Sequence, residues 1–241
     1  MARLPDHDRQ RSFWQVAFVL ISVALLALLF IGLGVWQIER LAWKRDLIDR
    51  VQTHLAAEPV PLDTVFDLAP EDQEYRRVQV SGVFDHTAET FTKAVTELGG
   101  GYWVITPLRV DGGQTVLINR GFVPPDRRDK TTRQDGLIDG PVTVTGLVRL
   151  SEPDGGFLRD NDPQADLWYS RDVAAIARAR ALGPTARIFV DAEASVAAPI
   201  GGLTVVKFRN THLIYAVTWF ALAVLVAFGM AFVIHHERQL R

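Results

Sequence analysis

The chain has 241 residues, a net charge of −2 at pH 7 and no cysteine. Its length suits one domain with short appendages, and the slight acidity argues against nucleic acid as a partner, which calls for a basic face. Without cysteine it makes no disulfide, thiolate metal site or thiol redox centre.

The first predicted element is an uncharged apolar run from Ser12 to Ile38. It exceeds the roughly 20 residues a helix needs to cross a bilayer. It is also longer than the roughly 7–15 residues of a signal-peptide core, and no small-x-small cleavage site follows, so it is expected to remain as an anchor. The helix is predicted to run on from Glu39 to Leu55, with Trp43 at headgroup depth. It should stop at Ala57-Glu58-Pro59-Val60-Pro61, because proline cannot continue a helix.

Strand-like patterning comes next. Tyr75 to Phe84 alternates through Val78, Val80 and Val83, with Gly82 as a bulge. A strand is expected over Thr90 to Val95. Tyr102 to Val110 and Thr115 to Val123 form a hairpin across Asp111-Gly112-Gly113. The charged, threonine-rich stretch Asp126 to Asp139 reads as an exposed loop. Pro141 to Leu150 alternates again. Arg171 to Leu182 is a short alanine-rich helix closed by Gly183-Pro184. Arg187 to Asp191 and Leu203 to Val206 are further strands. A second apolar run, Leu213 to Ile234, is long enough to span a bilayer.

The expected fold is a membrane protein in which two transmembrane helices flank a β-rich α+β extramembrane domain. That domain should be an antiparallel barrel or sandwich with one short helix. The boundaries are a tail over 1–12, a span over 13–38, the domain over 39–211, a span over 212–234 and a tail over 235–241. Flanking charge leaves orientation open. Arg3, Arg9, Arg11, Arg238 and Arg241 lie on the tails, against Arg40, Lys44, Arg45, Arg50, Lys207 and Arg209 on the domain side. Long loops also translocate largely regardless of charge.

His212 stands at the edge of the second span and shares a helical face with Tyr215 and Trp219. A neutral imidazole there can ligate haem iron, with the aromatics against the macrocycle. The same residues also read as an interfacial histidine bonded to a headgroup or the neighbouring helix, flanked by belt aromatics. Trp36 and Arg40 lie one turn apart on the first helix. Arg40 is a fork-shaped donor suited to a haem propionate or to lipid phosphate, and Trp36 doubles as an interfacial anchor. Gly32 and Gly34 would let a second helix approach closely. Arg120 reads either as a partner contact or as a buried arginine at a sheet corner, His86 as a turn residue, and His235-His236 as a solvated pair. No nucleophile elbow, phosphate loop or metalloprotease spacing is present. Catalysis is therefore not expected.

Several of these segments, in this order, resemble the Surfeit locus protein 1 family. They are Gly34-Val35-Trp36-Gln37 with Arg40 and Trp43-Lys44, then Tyr75-Arg76-Arg77-Val78 with Gly82 and Phe84, then Gly101-Tyr102 with Thr106-Pro107. Val116-Leu117-Ile118-Asn119-Arg120-Gly121-Phe122-Val123-Pro124 follows, and Asn210-Thr211-His212-Leu213-Ile214-Tyr215-Ala216-Val217-Thr218-Trp219-Phe220 closes the set. The resemblance implies an assembly factor for haem-copper cytochrome c oxidase, not an enzyme. It would bind haem a and aid its delivery to, or retention in, the core oxidase subunit. It further implies haem synthesis or insertion factors and the lipid bilayer as partners, and a domain facing the periplasm from a bacterial inner membrane. The family's haem ligand falls on His212. The competing expectation is a cofactor-free scaffold that holds the nascent oxidase subunit.

Overall fold

The computed structural model describes residues 13–193, 198–204, 206 and 208–239. The expected tail over 1–12, Val205 of the expected strand Leu203 to Val206, and Leu240 and Arg241 lie outside the described residues. In chain order the elements are α1 (Phe13–Ala56), β1 (Val60–Pro61), α2 (Pro70–Gln73), β2 (Arg77–Phe84), β3 (Thr90–Thr96) and β4 (Gly99–Val110). They continue with β5 (Thr115–Val123), β6 (Pro141–Leu150), α3 (Val173–Ala179), β7 (Thr185–Ala192) and α4 (His212–Gln239). The chain divides into two compact units, Met1–Ile48 with Phe208–Arg241, and Asp49–Lys207.

In the first unit α1 and α4 are both long and apolar enough to cross a membrane. Their outer faces expose Phe18, Leu25 and Leu29 on α1 and Val224, Leu225 and Phe228 on α4. Lipid is the solvent that suits such uncovered apolar faces. The inner faces meet on small residues. Ala216 and Ala223 are buried, and a Cβ at Gly34 would come within 2.6 Å of the Phe220 ring. Gly34 thus seats an aromatic ring that any side chain would displace. Gly32 has open space around it, so only one of the two glycines serves the seam. Phe30 packs on Trp219 with ring centroids 5.6 Å apart. α4 runs through the expected tail pair, and His236 stacks on Phe232 within it.

The second unit is a barrel. β2, β6, β7, β5 and β4 pair in that order, and a short β2–β4 pairing closes the ring. Every pair in the ring is antiparallel except β5–β7, which is parallel. β1 and β3 are attached outside the ring, on β2 and β4. The β4–β5 hairpin turns at Gly112 and Gly113, both at positive φ, where glycine carries no steric penalty.

Val78, Val80, Leu108, Val116, Ile118, Val148, Ile188 and Val190 fill the interior. A second cluster covers the outside of the same strands: Ile105, Leu117 and Phe189 pack under Trp168, Val173 and Ile176. β5 is buried along its whole length as a result, and Val116-Leu117-Ile118 within it runs apolar without alternation.

Three local expectations change. Gly82 is no bulge: it pairs in register with both Val142 and Val110. A Cβ there would collide with the Arg109 carbonyl oxygen, so the glycine permits the close backbone approach that shuts the ring. Leu203, Thr204 and Val206 form no strand. Asp126 to Asp139 is not a plain exposed loop but carries two 3-10 segments, Pro125–Arg127 and Lys130–Gly136, with Arg133 buried.

Gly82→Ala should therefore destabilise the barrel by about 1–3 kcal/mol, the usual cost of overpacking. The check is a lower unfolding midpoint of the detergent-purified chain with its helix content kept.

Candidate functional site

A polar contact between α1 and α4 joins residues 175 positions apart: His212 Nδ1 lies 2.7 Å from Gln37 Oε1. His212 opens α4, where its N–H lies 3.4 Å from the Asn210 carboxamide oxygen. A carboxamide oxygen only accepts, so Nδ1 is the donor, and in the neutral imidazole the lone pair then lies on Nε2. Nε2 has no hydrogen-bond partner among the described residues. This is the tautomer that ligates a metal through Nε2, held by a hydrogen bond from the other nitrogen. Gln37 is buried within an otherwise apolar stretch. An interhelical bond of this kind contributes on the order of 1 kcal/mol.

The other four residues expected at a haem site lie around this contact without converging on it. Trp219 is partly buried against Phe30. Tyr215 and Trp36 are each about half exposed. The Arg40 guanidinium sits 4.3 Å over the Trp43 ring, not over Trp36. Among the described residues no ring stacking, hydrogen bond or cation–π contact joins any two of His212, Tyr215, Trp219, Trp36 and Arg40.

The donor set fits a haem on one condition. An imidazole whose Nδ1 donates to a carboxamide, with aromatic flanks and an exposed guanidinium, would suit histidine ligation of haem iron with a propionate partner. The seam at Gly34, Ala216 and Phe220 is closed, so a macrocycle would have to lie on the open side, where Trp36 and Tyr215 are exposed. No group of three or more His, Asp or Glu side chains is placed to hold a bare metal ion among the described residues.

The barrel's polar groups are committed elsewhere. Glu89 is buried and takes hydrogen bonds from Arg133 and from the Thr106 hydroxyl. Arg120 lies 3.9 Å from the same carboxylate, donates to the Gly136 carbonyl and stacks 4.9 Å over Phe84. It is the buried corner arginine of the two readings open in the sequence. Burial lowers its pKa, against the opposing pull of Glu89. His86 lies in the 3-10 turn His86–Ala88, and its Nε2 is 3.1 Å from the distant Ile138 carbonyl oxygen.

A cleft of about 410 Å³ beside Trp103 is lined by Arg149, Arg171, Asp191 and Thr204. Three of its charged groups pair with one another, Arg149 and Arg171 each with Asp191. Asp191 accepts from Asn119 at 2.7 Å, Thr204 at 2.9 Å, and Arg149 and Arg171 at 3.2 Å. Arg171 also binds Glu152. The arrangement braces strands.

Residues 24–224 match the model of the SURF1 family. The chain belongs to that family. It is 39% identical over 232 residues to Surfeit locus protein 1 of Homo sapiens, covering 88% of this chain and 74% of the human one. It is 38% identical over 210 residues to the Rattus norvegicus protein of the same name, covering 79% and 67%. The SURF1-like protein of Monosiga brevicollis is 36% identical over 223 residues, covering 86% and 82%. The SURF1-family match takes in Gln37, His212 and the whole barrel.

Gln37 is the site residue that sequence reasoning left without a role. Its signal was available: a carboxamide in a stretch otherwise suited to lipid needs a partner, and a second intramembrane polar group is the natural one. The pairing of Glu89 with Arg133 carried no such signal, because Arg133 sits in a charged segment that reads as solvated.

The Glu152–Arg171 pair makes the stability of this SURF1-family domain pH dependent. Burial pushes the Glu152 carboxyl up, but the hydrogen bond and charge of Arg171 outweigh it and hold its pKa below the ordinary glutamate value. A carboxylate depressed in the folded state binds fewer protons there than in the unfolded chain. Its stabilisation is fully present above the unfolded pKa, about 4.3, and is lost as pH falls through the folded value. Glu152→Gln should flatten the fall in unfolding midpoint between about pH 5 and 3, measured on the full chain in detergent.

Proposed function

We propose that this chain is an assembly factor for haem-copper cytochrome c oxidase that binds haem a through His212 and aids its delivery to, or retention in, the core oxidase subunit. Membership of the SURF1 family supports the assembly role, and the Gln37–His212 hydrogen bond is the observation that carries the haem reading. Gln37 fixes the imidazole so that Nε2 presents its lone pair. Trp36, Tyr215 and Trp219 supply apolar walls, and Arg40 a cation for a propionate. His212 would supply iron with an imidazole nitrogen, and the aromatic flanks a surrounding of low polarity. The haem is cargo here, and the chain has no catalytic step to perform.

The chain crosses a bacterial inner membrane twice in this reading, with both termini in the cytoplasm and residues 39–211 in the periplasm. The oxidase core subunit and the factors that make or insert haem are its partners. A cofactor-free scaffold is the second reading. Among the described residues Trp36 and Arg40 make no hydrogen bond or ring contact with His212, which favours it, since these residues then serve only as anchors.

The absorption spectrum of the detergent-purified chain, made in cells that synthesise haem a, separates the two readings. Wild type should carry a Soret band that His212→Ala loses or shifts to the blue. Gln37→Leu should weaken haem retention about 10–100-fold, as loss of a ligand's supporting hydrogen bond does. Arg40→Lys should weaken it as well if Arg40 clamps a propionate, because lysine lacks the planar fork. Wild-type protein without haem, but able to restore oxidase activity to a deletion strain, would establish the scaffold.

Orientation has its own check. A reporter active only in the periplasm should work inside Asp126 to Asp139 and fail after Arg241. The reverse pattern would invert the topology.

A further inference from the structure

Between β6 and α3 the barrel carries a turn whose two tip side chains stand exposed. Gly156 and Arg159 exchange both backbone hydrogen bonds, Gly156 N–H to Arg159 O at 2.8 Å and Arg159 N–H to Gly156 O at 3.1 Å. The two residues between them form the tip of a tight hairpin. They are Phe157, 93% exposed, and Leu158, 88% exposed. Single exposed apolar side chains are ordinary on protein surfaces. Two large ones side by side on a turn, where polar residues would serve the backbone better, are not.

The turn is held in a costly conformation. Leu158 adopts φ 58°, in the left-handed region that disfavours a residue with a Cβ. Gly155, at φ 83°, has no room for a side chain against the Arg159 carbonyl. The base is braced on every side. Asn161 accepts from the Tyr169 and Ser170 N–H groups at 2.8 and 3.2 Å. Asp162 and Leu167 exchange backbone bonds at 2.8 and 2.9 Å. Trp168 is fully buried beneath them, and the Arg159 guanidinium stacks 5.4 Å from the Tyr169 ring. The tip is therefore preorganised, and presenting it costs little further ordering on association.

Charge identifies what it meets. From Ser151 to Asp166 the acids are Glu152, Asp154, Asp160, Asp162 and Asp166, and the one base is Arg159. Glu152 and Asp166 are bound by Arg171 and Arg180, while Asp154 and Asp160 stand exposed beside the tip. An anionic leaflet repels such a collar, and interfacial segments carry lysine and arginine at their flanks. An apolar socket with a basic rim on another protein complements both the tip and its collar.

We propose that the Phe157–Leu158 turn is a docking knob for such a socket on the core oxidase subunit; the choice of subunit rests on the assembly role proposed above. Phe157 is the anchor, and Asp154 and Asp160 orient it.

The test places a photoreactive benzoylphenylalanine at position 157 of the full chain, in cells that assemble the oxidase. Irradiation should yield an adduct recognised by antibody to the core subunit, and the same probe at exposed Val95 should not. An adduct with phospholipid alone, with a second copy of this chain, or no adduct would overturn the proposal. In parallel, the double variant Phe157→Ser, Leu158→Ser should keep the wild-type unfolding midpoint and bind detergent-purified core subunit about 30-fold more weakly, the loss expected of an interface anchor. Phe157→Met with Leu158→Met should restore binding, and failure of that rescue would overturn insertion of an apolar tip. If the wild-type chain restores oxidase activity to a deletion strain and the serine variant does so equally well, the docking site falls and the assembly role stands. If the wild-type chain restores nothing, the assembly role falls and takes the docking site with it.

Discussion

The barrel is organised around one carboxylate. Asp191 lies on β7 and takes hydrogen bonds from Asn119 on β5, Arg149 on β6, Arg171 just before α3, and Thr204 beyond the last strand. Four donors on one buried acid would be costly to assemble from water and costly to lose singly, because each departure leaves a polar or charged group without its partner. The donors come from four separate stretches of chain, so the carboxylate fixes the spacing of the strands around the β5–β7 pair. Trp168 and α3 settle on the outer face of those strands, and the hairpin carrying Phe157 and Leu158 is braced between β6 and Trp168.

The two units solve the problem of internal polar groups differently. The barrel uses full charges, Glu89 with Arg133 and Asp191 with two arginines, in sites where extra hydrogen bonds offset desolvation. The helix pair uses a neutral bond between a carboxamide and an imidazole. Neither partner of that bond needs to carry a charge. The neutral choice also leaves one ring nitrogen uncommitted, which an ion pair would not.

Much of this was legible in the sequence. The two apolar runs, the β4–β5 hairpin and the β6 alternation follow from periodicity and turn chemistry, and each stands where the pattern puts it. What could not be read depends on tertiary partners. Arg133 looks solvated until Glu89 is placed beside it. Gly82 looks like a bulge until β4 arrives to need the space. The parallel pairing of β5 with β7 leaves no local trace, since β5 is buried on both faces whichever neighbour it has. At the candidate site, His212 announces itself as a polar residue at a helix edge. Its bond to Gln37 is a matter of register between two helices, which composition does not encode.

The parallel pair also sets an order of events during synthesis. β7 fills the gap between β5 and β6 and begins at Thr185, in the last quarter of the chain. Until the ribosome has delivered it, β5 and β6 each present an open edge of unpaired N–H and C=O groups, an invitation to wrong partners. The first apolar helix is made long before that, and the second follows β7 after a short connection. A nascent chain is thus tethered by one helix while its half-built sheet is most vulnerable. The sheet becomes complete only shortly before the second helix emerges.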